Sequence, residues 1–541
     1  MMKKKNQGGR FALNEKDLKI VESIPSEKFE FAEPKRVRIS KENSEEQAGY
    51  FKDVWRRFCK NKSSLFATAI IGLLLLFAIV APFLSPYTVS YQDERYKFCP
   101  PKNEIFARLG VDFWDGCNEK TLPEHTFYYY RAIGSETGKP VIKNDAYQKH
   151  ERKNANYYTF RLDAVKAVGR VFLSLTKSEY EDLQAYQMKK NRQIIYPMTN
   201  PVKRPDESQA PQLYADANYW YQTELVTGKD EDGFPLKQKI AVPVLGEEGE
   251  FLNIYAPYSG RDGYESLRIE GETALYDYAI VNQTGYEVRV DYGEYYRYYH
   301  TEVLKDGIEE PKFLFGTTQA GRDLFTCLGS GARLSFFLAF TVSFVNTCIG
   351  GIYGAIEGYY GGGADLLMER ISDILSAVPF MIVITLLKMH FGSASQLLVL
   401  FVAFFLTGWI GMAKRSRMQF YRFKNREYVL SARTLGASDG RIMRKHILPN
   451  AIGTIITSSI LTIPATIFSE SSLSYLGIIN LNTGSMTSVG ALLSNAQPYL
   501  TAYPYMILFP AVFICLLMLS FNLFGNGLRD AFNPTVRNEK E

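Results

Sequence analysis

Residues 414–450 read KRSRMQFYRFKNREYVLSARTLGASDGRIMRKHILPN, and this stretch between two long apolar runs decides how the chain is organised. It carries ten Lys and Arg residues against two acids, Glu427 and Asp439. Short loops rich in Lys and Arg remain on the cytoplasmic side of a membrane. The stretch is therefore predicted to be a cytoplasmic loop between two membrane-spanning helices. Any polytopic membrane protein has basic cytoplasmic loops, so charge alone assigns no function to it.

The same stretch is predicted to contain two short helices. Within residues 427–435 three residues recur at helical spacing on one face: Tyr428, Ala432 and Leu435. Gly436 stands where the end of a helix favours positive φ, and Ser438 stands at the N-cap of the next helix. Pro449 then opens the following apolar run at a first-turn position. This pattern favours a docking element that presents an amphipathic helix to a groove on a soluble partner.

Composition indicates a membrane protein with a large soluble part. Apolar residues are concentrated in six runs, whereas 26 of the 36 tyrosines lie between residues 85 and 315. The net charge of +5 is small for 541 residues, and the basic residues cluster beside the apolar runs. Nucleic acid is therefore not an expected partner.

The apolar runs predict six transmembrane helices. The first, residues 65–84, has twenty residues without a charge. At about 1.5 Å per residue it is about 30 Å long, enough to cross the hydrocarbon core. Residues 1–62 are predicted to be a cytoplasmic tail, too long for a signal-peptide n-region. The other spans are predicted at residues 336–356, 373–389, 396–413, 451–470 and 505–524, with a cytoplasmic loop at 357–372. Six spans place both termini in the cytoplasm, with residues 531–541 as the C-terminal tail.

Residues 85–312 are predicted to form an extracytoplasmic α+β domain, because long loops translocate largely regardless of their charge. Ser178 with Glu181 predicts a capping box at the start of a helix, and two strands are predicted at 274–281 and 286–292. Cys99 and Cys117 lie in this domain and could form a disulfide outside the cytoplasm.

The sequence predicts no catalytic site, cofactor or metal. The glycines of Gly134 and Gly138-Lys139 lack the spacing of a phosphate-binding loop. No metal-ligand spacing relates the histidines of the predicted domain, which are His125, His150 and His300. Its tyrosine clusters are interpreted as sheet faces and core, with a peptide or partner contact as the alternative: Tyr128-Tyr129-Tyr130, Tyr295-Tyr296 and Tyr298-Tyr299.

Four separated motifs resemble the inner-membrane permease subunits of ABC importers for dipeptides, oligopeptides and nickel, in the OppC or DppC branch. They are Trp55-Arg56-Arg57-Phe58 before the first span; Gly316-Thr317, Gly321-Arg322-Asp323 and Gly331-Ala332-Arg333 before the second; residues 428–450; and Leu473-Ser474-Tyr475-Leu476-Gly477 with residues 522–534. The resemblance implies an all-α membrane protein with the six helices of a type I importer permease. Its core would be residues 315–530, with the α+β domain inserted between helices 1 and 2, where typical members have a short loop.

In that family the loop corresponding to residues 414–449 inserts into a cleft on a separate ATPase. The resemblance implies that the coupling residues are Glu427, Tyr428, Ala432, Leu435, Gly436, Ala437, Leu448 and Pro449, of which Tyr428, Ala432 and Leu435 would fill the cleft. Three residues depart from the general pattern: Leu430 replaces Glu, Ser431 replaces the first Ala, and His446 replaces a frequent Ile. Glu427 could supply the acid that Leu430 lacks. Thr318 stands where many relatives have Asp.

The resemblance also implies the partners and the location. They are two ABC ATPase subunits, a second homologous permease, an extracytoplasmic solute-binding protein, a peptide substrate and the lipid of a bacterial inner membrane. The solute path would run between the two permeases, along the second, third, fifth and sixth spans. The chain itself would be no enzyme, because ATP hydrolysis resides on the partners. Nickel or another small solute is the alternative cargo.

Two other classes stay open. One is a membrane-anchored receptor or adhesin in which residues 85–312 carry the function. The other is a hydrolase that trims peptides before import, although no Ser/His/Asp or metal spacing supports it.

Overall fold

The computed structural model describes residues 50–152, 155–196, 198–200, 221–229, 235–243, 256–257, 267–270, 273–276, 278–281, 285–391, 395–482 and 486–532. The chain divides into two compact units, Met1–Arg57 and Phe58–Glu541. Helix α1, Tyr50–Lys60, begins in the first unit. Most of the predicted N-terminal tail and nearly all of the predicted C-terminal tail lie outside the described residues.

Before residue 324 the second unit combines one long apolar helix with short helices and antiparallel strands. The helices are α2 (Lys62–Leu84), α3 (Glu104–Arg108), α4 (Glu124–Thr137), α5 (Lys177–Lys190) and α6 (Tyr292–Tyr298), with 3₁₀ turns at Glu94–Tyr96, Asp112–Trp114 and Lys166–Val168 and a π-helical turn at Tyr299–Val303. The strands are β1 (Cys117–Pro123), β2 (Ile142–Arg152), β3 (Ala155–Asp163), β4 (Arg170–Leu175), β5 (Ile195–Tyr196), β6 (Thr199–Asn200), β7 (Tyr221–Lys229), β8 (Pro235–Pro243), β9 (Ala256–Pro257), β10 (Leu267–Glu270), β11 (Thr273–Tyr276), β12 (Ala279–Val281) and β13 (Tyr286–Asp291).

From residue 324 onward the regular structure of the described residues is helical. The helices are α7 (Leu324–Tyr360), α8 (Gly362–Ala377), α9 (Phe380–His390), α10 (Gln396–Thr407), α11 (Ile410–Phe423), α12 (Glu427–Thr434), α13 (Asp439–Arg441), α14 (Leu448–Tyr475), α15 (Val489–Ala496) and α16 (Tyr505–Phe532), with a π-helical turn at Ile442–Ile447 and a 3₁₀ turn at Gln497–Tyr499.

Five helical segments within the described ranges are long and apolar enough to cross a membrane: α2, α7, α10 with α11, α13 with α14, and α16. The α8–α9 pair passes the same test together but is bent by 73°, and counting it as one span gives six. The bend falls at Val378 and Pro379, because a proline disfavours helical geometry in the residue before it.

Helices continue beyond the predicted limits of two spans. The predicted loop at 357–372 is helical except at one residue, because α7 continues to Tyr360 and α8 begins at Gly362. Only Gly361, at φ +68°, separates the two helices. Helix α14 continues beyond Glu470, the predicted end of the fifth span, to Tyr475.

A glycine seam joins α7 to α11. Gly350, Gly354 and Gly358 recur every four residues and so lie on one face of α7. A Cβ at Gly354 would collide with the carbonyl oxygen of Ala413, and a Cβ at Gly358 would collide with that of Arg417. Small residues at this spacing let two membrane helices approach to backbone contact. The register between α7 and α11 is therefore set by the sequence of α7.

The extramembrane part is α+β, as predicted, and contains two sheets of three or more strands. In the first, of order β1-β3-β2, the ring of Phe127 on α4 stacks on Tyr158 of β3 at 4.3 Å between centroids. In the second, of order β12-β13-β4, strand β5 also pairs with β13, and Leu183 of α5 packs in the same core. The pairs β6–β9, β7–β8 and β10–β11 complete the described strands.

Three details of that domain differ from the predictions. The capping box lies at Thr176 and Glu179, two residues before the predicted pair, because the helix begins at Lys177. The predicted strand 274–281 is two strands, since β11 pairs with β10 whereas β12 pairs with β13. Cys99 and Cys117 form no disulfide, and both are free. The side chains of His125, Tyr128 and Tyr129 lie outside the described residues.

Candidate coupling site

The corner predicted in the basic loop is present. Helix α12 ends at Thr434, and Gly436 follows at φ +82°. The N–H of Ala437 donates to the carbonyl oxygen of Ala432 at 3.1 Å, which closes the helix end. Ser438 occupies the N-cap position of α13, and Leu448 and Pro449 begin α14. The glycine is required here because positive φ is costly for a residue with a Cβ.

The orientation of α12 corrects the predicted docking face. Val429 is fully buried and Ala432 is nearly so, and both point into the chain. Val429 packs in a cluster with residues of α7, α11, the π-helical turn and α14: Tyr359, Met412, Phe420, Ile442, Ile447, Ala451 and Ile455. Outside this buried stripe Tyr428, Leu430 and Leu435 are exposed, the last 88% exposed. Ala432 therefore lies on the buried side of α12 and not with the exposed residues Tyr428 and Leu435 that were predicted to share its face. The prediction overlooked Val429. This residue lies three positions before Ala432, so the two side chains share the buried side of α12.

Tyr359 joins both sides of the corner to the C-terminal end of α7. Its hydroxyl donates to the Asp439 carboxylate at 2.5 Å and accepts from the Arg433 guanidinium at 3.3 Å. The Tyr428 hydroxyl accepts a bond from the Asn450 side chain at 3.2 Å, which joins α12 to α14. Burial raises the pKa of Tyr428, so this hydroxyl is neutral near neutral pH. Tyr359 lies 55 residues or more from the loop and carries no sequence signal that would have linked it to the site.

Arg417 is the centre of a second tie. Its guanidinium contacts Asp365 at 2.6 Å, Glu369 at 3.2 Å and Glu357 at 3.4 Å. Three carboxylates from α7 and α8 thus surround one arginine of α11. Asp373 of α8 pairs in addition with Lys414 at 3.3 Å. Two basic residues of the loop, Lys414 and Arg417, are therefore paired with acidic residues of the chain itself.

At the opposite end of the membrane helices, the motif before α7 joins the inserted domain. The Thr317 hydroxyl donates to the Tyr96 carbonyl oxygen at 2.6 Å and accepts from the Cys99 N–H at 2.8 Å. Gly321, at φ +71°, lies against Asp93 so closely that a Cβ would collide with its carbonyl oxygen. Gly316 is also at positive φ, at +80°. At this junction Thr317 and Gly321 therefore contact the backbone of residues 93–99 directly.

Asp323 and Thr318 cap this junction. Asp323 is the N-cap of α7, where its carboxylate accepts bonds from the Thr326 N–H at 2.9 Å and the Ser85 hydroxyl at 3.1 Å. Burial raises the pKa of Asp323. The Thr318 hydroxyl accepts bonds from the N–H groups of Ala320 and Arg322 at 3.3 and 3.2 Å. The Thr318 hydroxyl therefore caps this turn, as the carboxylate of an aspartate could at the same position.

A cavity of about 190 Å³, named here the polar cavity after part of its lining, lies among α7, α10, α11 and α14. Apolar residues such as Val342, Phe404 and Met412 line it together with six polar side chains: Ser343, Asn346, Thr347, Thr462, Thr466 and Ser469. The Ser343 and Thr462 hydroxyls are 2.6 Å apart. Hydroxyl side chains of membrane helices commonly hydrogen-bond across helix contacts, as this pair does between α7 and α14.

Glu470 is buried between α7, α14 and the start of α15. Its carboxylate accepts hydrogen bonds from Ser474 at 3.0 Å, Ser335 at 3.3 Å and Ser471 at 3.5 Å. The spacing of Glu470 and Ser474 at i and i+4 could have indicated this contact, but the sequence does not show that Ser335 joins it.

Comparison with known proteins identifies the membrane part. The family model described as "Binding-protein-dependent transport system inner membrane component" matches residues 335–538, and the model "N-terminal TM domain of oligopeptide transport permease C" matches residues 49–101. The oligopeptide transport system permease protein OppC of Bacillus subtilis is 44% identical over 223 residues, which cover 41% of this chain and 72% of the relative. The chain belongs to the family of binding-protein-dependent transport permeases.

A second curated relative and a solved structure are also similar to the chain. The dipeptide transport system permease protein DppC of Bacillus subtilis is 42% identical over 224 residues, 41% of this chain and 69% of the relative. A solved inward-facing structure of the MetNI methionine ABC transporter covers 38% of the permease and 96% of that chain, with 16% identity and a TM-score of 0.32. Residues 102–334 lie outside both family-model matches. Family membership makes transport the role of this permease, which decides against a receptor or adhesin.

Proposed function

We propose that the permease is one of two such subunits in an ATP-driven peptide importer, and that α12 is its contact with an ATPase. The observation that carries the proposal is the two-sided character of α12. Val429 and Ala432 are buried on one side, whereas Tyr428, Leu430 and Leu435 are exposed around it. An amphipathic helix whose apolar side chains are left exposed by the described part of the chain fits an apolar groove on a partner.

The ties around the corner would transmit the movement of that partner. The Tyr359 hydroxyl holds Asp439, so a displacement of the corner acts on α7. Arg417 links α11 to carboxylates of α7 and α8. ATP binding would shift the equilibrium between inward-open and outward-open states only if the ATPases contact the corner differently in the two states.

The proposed cargo is a peptide, because the similar curated permeases are named for oligopeptide and dipeptide transport. Nickel or another small solute is the second candidate, on the family resemblance alone. The remaining partners would be a second ATPase, a second permease and an extracytoplasmic solute-binding protein. The polar cavity beside Ser343 and Thr462 is a candidate part of the solute path, although it borders the fourth predicted span rather than the third or sixth.

We assign six spans by counting α8 and α9 as one broken span. Both termini and the loop 414–449 would then be cytoplasmic, and residues 85–312 would be extracytoplasmic. This orientation agrees with the excess of Lys and Arg in the loop.

The test is uptake by proteoliposomes that contain the whole copurified complex. Leu435→Glu should abolish ATP-dependent uptake of labelled short peptides, because it places a charge in the ATPase groove. Met418→Glu is the matched control, since Met418 is also exposed, on α11. Normal peptide uptake by the Leu435→Glu complex would reject the coupling role of α12. Uptake of radioactive nickel but not of peptides by the unmodified complex would reject the peptide cargo alone.

A further inference from the structure

The segment 103–114, named here the outer loop, is a closed and ordered turn of the inserted domain. The N–H of Asn103 donates to the carbonyl oxygen of Trp114 at 2.9 Å, which joins its two ends. The Asn103 side chain caps α3 by accepting from the Ile105 N–H at 2.9 Å. Gly110 at φ +78° allows the chain to turn back after α3. The loop therefore presents its side chains in a fixed arrangement.

The outer loop exposes apolar side chains, and its Asp112 is paired with the adjacent sheet. Ile105 is 70% exposed and Leu109 is 72% exposed, and three further apolar residues of the loop are exposed: Phe106, Val111 and Phe113. In contrast, Asp112 pairs with Lys143 and Arg161 of the adjacent sheet, both at 3.0 Å. Five exposed apolar residues within nine positions form a patch of the kind that marks an interaction surface.

The outer loop lies against the end of a membrane helix. The ring of Phe113 is 5.9 Å from that of Phe509, and the Trp114 ring is 6.1 Å from it. Phe509 is the fifth residue of α16 and stacks on Phe315 at 4.0 Å. The exposed apolar side chains of α16 continue from this point along the helix: Leu508, Val512, Leu516 and Leu519. The apolar patch is thus continuous with the surface of α16 that meets the acyl chains.

We propose that the outer loop is an interfacial membrane anchor, which inserts Ile105, Leu109 and their apolar neighbours into the lipid leaflet beside α16. Short amphipathic segments with Phe and Leu bind at the boundary between headgroups and acyl chains, and Trp is enriched at that level. Arg108 is exposed on the same helix and reaches the anionic headgroups. The anchor holds the inserted domain against the bilayer. It rests on the assignment of α16 as a membrane span but on no assumption about cargo or ATPases.

The test places an environment-sensitive fluorophore at Leu109→Cys. The complex is assembled in nanodiscs of phosphatidylcholine and phosphatidylglycerol, in a background where the exposed Cys59, Cys348 and Cys515 are serine. Met188→Cys is the matched control, because Met188 is 76% exposed on α5. Leu76→Cys on α2 is the reference for a lipid-facing residue.

Lipids spin-labelled near the headgroup end of the acyl chain should quench the label at position 109 several-fold more than the label at 188. Adding Ile105→Glu should reduce that quenching without changing the thermal stability of the complex in detergent. Blue-shifted emission that lipid does not quench would show a protein cover and overturn the proposal, as would emission typical of water. A complex that fails to import peptides would still show the quenching, so the two proposals fail separately.

Discussion

The hydroxyl of Tyr359 donates a hydrogen bond to the carboxylate of Asp439 at 2.5 Å, across 80 residues of sequence. Tyr359 lies at the C-terminal end of α7, and Asp439 begins α13 directly after the glycine corner. The same hydroxyl accepts a bond from Arg433 on α12. The Tyr359 hydroxyl therefore holds both helices of the proposed coupling element, α12 and α13, against α7.

Tyr359→Phe should uncouple the corner without unfolding it. The ring and its packing remain, and the lost hydrogen bond costs about 1 kcal/mol because Asp439 is open to solvent. ATPase activity of the complex should persist while peptide uptake per ATP falls. Tyr360→Phe is the control, since the neighbouring side chain is exposed. Equal coupling ratios in the two variants would remove Tyr359 from the transmission path.

Substitutions of buried and of exposed residues at α12 should have different effects, the first on stability and the second on binding of the ATPase. Val429→Ala removes fully buried methyl groups and should destabilise the permease by about 2 kcal/mol. Leu435→Ala removes a side chain that is 88% exposed and should leave the melting temperature in detergent unchanged. Leu435→Ala should nevertheless weaken copurification of the ATPase. Loss of stability in both variants would mean that Leu435 packs within its own chain.

Gly321→Ala should disrupt the junction between the membrane helices and the inserted domain. The substitution combines positive φ with a collision against the Asp93 carbonyl oxygen. Gly307→Ala provides the comparison, because Gly307 is at φ +75° with open space around its Cα. It should cost only the conformational strain, about 1–2 kcal/mol. Similar melting temperatures for the two variants would show that Asp93 moves aside at little cost.

Most of the membrane part could be predicted from the sequence because five of its helical segments are apolar runs of sufficient length, whereas the bend between α8 and α9 was not predicted. The glycine corner was predictable for a related reason, since Gly436 and Ser438 act through the backbone of their own neighbours. Helix ends were harder: α14 continues past Glu470, and serines of α7 and α14 donate hydrogen bonds to that carboxylate. A polar residue in a linear sequence looks like the end of a span unless its partners are known.

The candidate site was predicted only where its residues are close in sequence. Ala432 was assigned to the outer face because three apolar residues share that spacing, but Val429 decides which side is buried. The contact of Tyr359 with Asp439 depends on how α7 packs on the loop. The spacing of residues within one segment carries no information about that packing. The same limit hid the position of the outer loop beside Phe509.

The thiols of Cys99 and Cys117 should resist alkylation in the folded permease. Burial, together with nearby aspartates, raises the pKa of each to about 12. Because an unfolded thiol loses its proton near about pH 8.5, the contribution of each thiol to stability decreases as the pH rises from about 8.5 to about 12. Maleimide at about pH 8 should label the exposed Cys59 but neither of these. After denaturation without reductant both should be labelled in mass spectra, whereas a disulfide would keep them unlabelled.

Glu470→Leu should loosen the contact between α7, α14 and the segment before α15. The carboxylate accepts bonds from Ser335 and Ser474, and Gly490 of α15 lies too close to the backbone of Ser471 for a Cβ. Leucine leaves these buried hydroxyls without their acceptor, at a cost of about 3 kcal/mol. Glu470→Gln keeps one oxygen acceptor and should lose less, and Ser335→Ala, which removes a single donor, should lose least. The melting temperatures of the complex in detergent give the order. If Glu470→Leu proves as stable as the unmodified permease, the hydroxyls do no more than offset the burial of the carboxyl group, and the contact rests on helix packing alone.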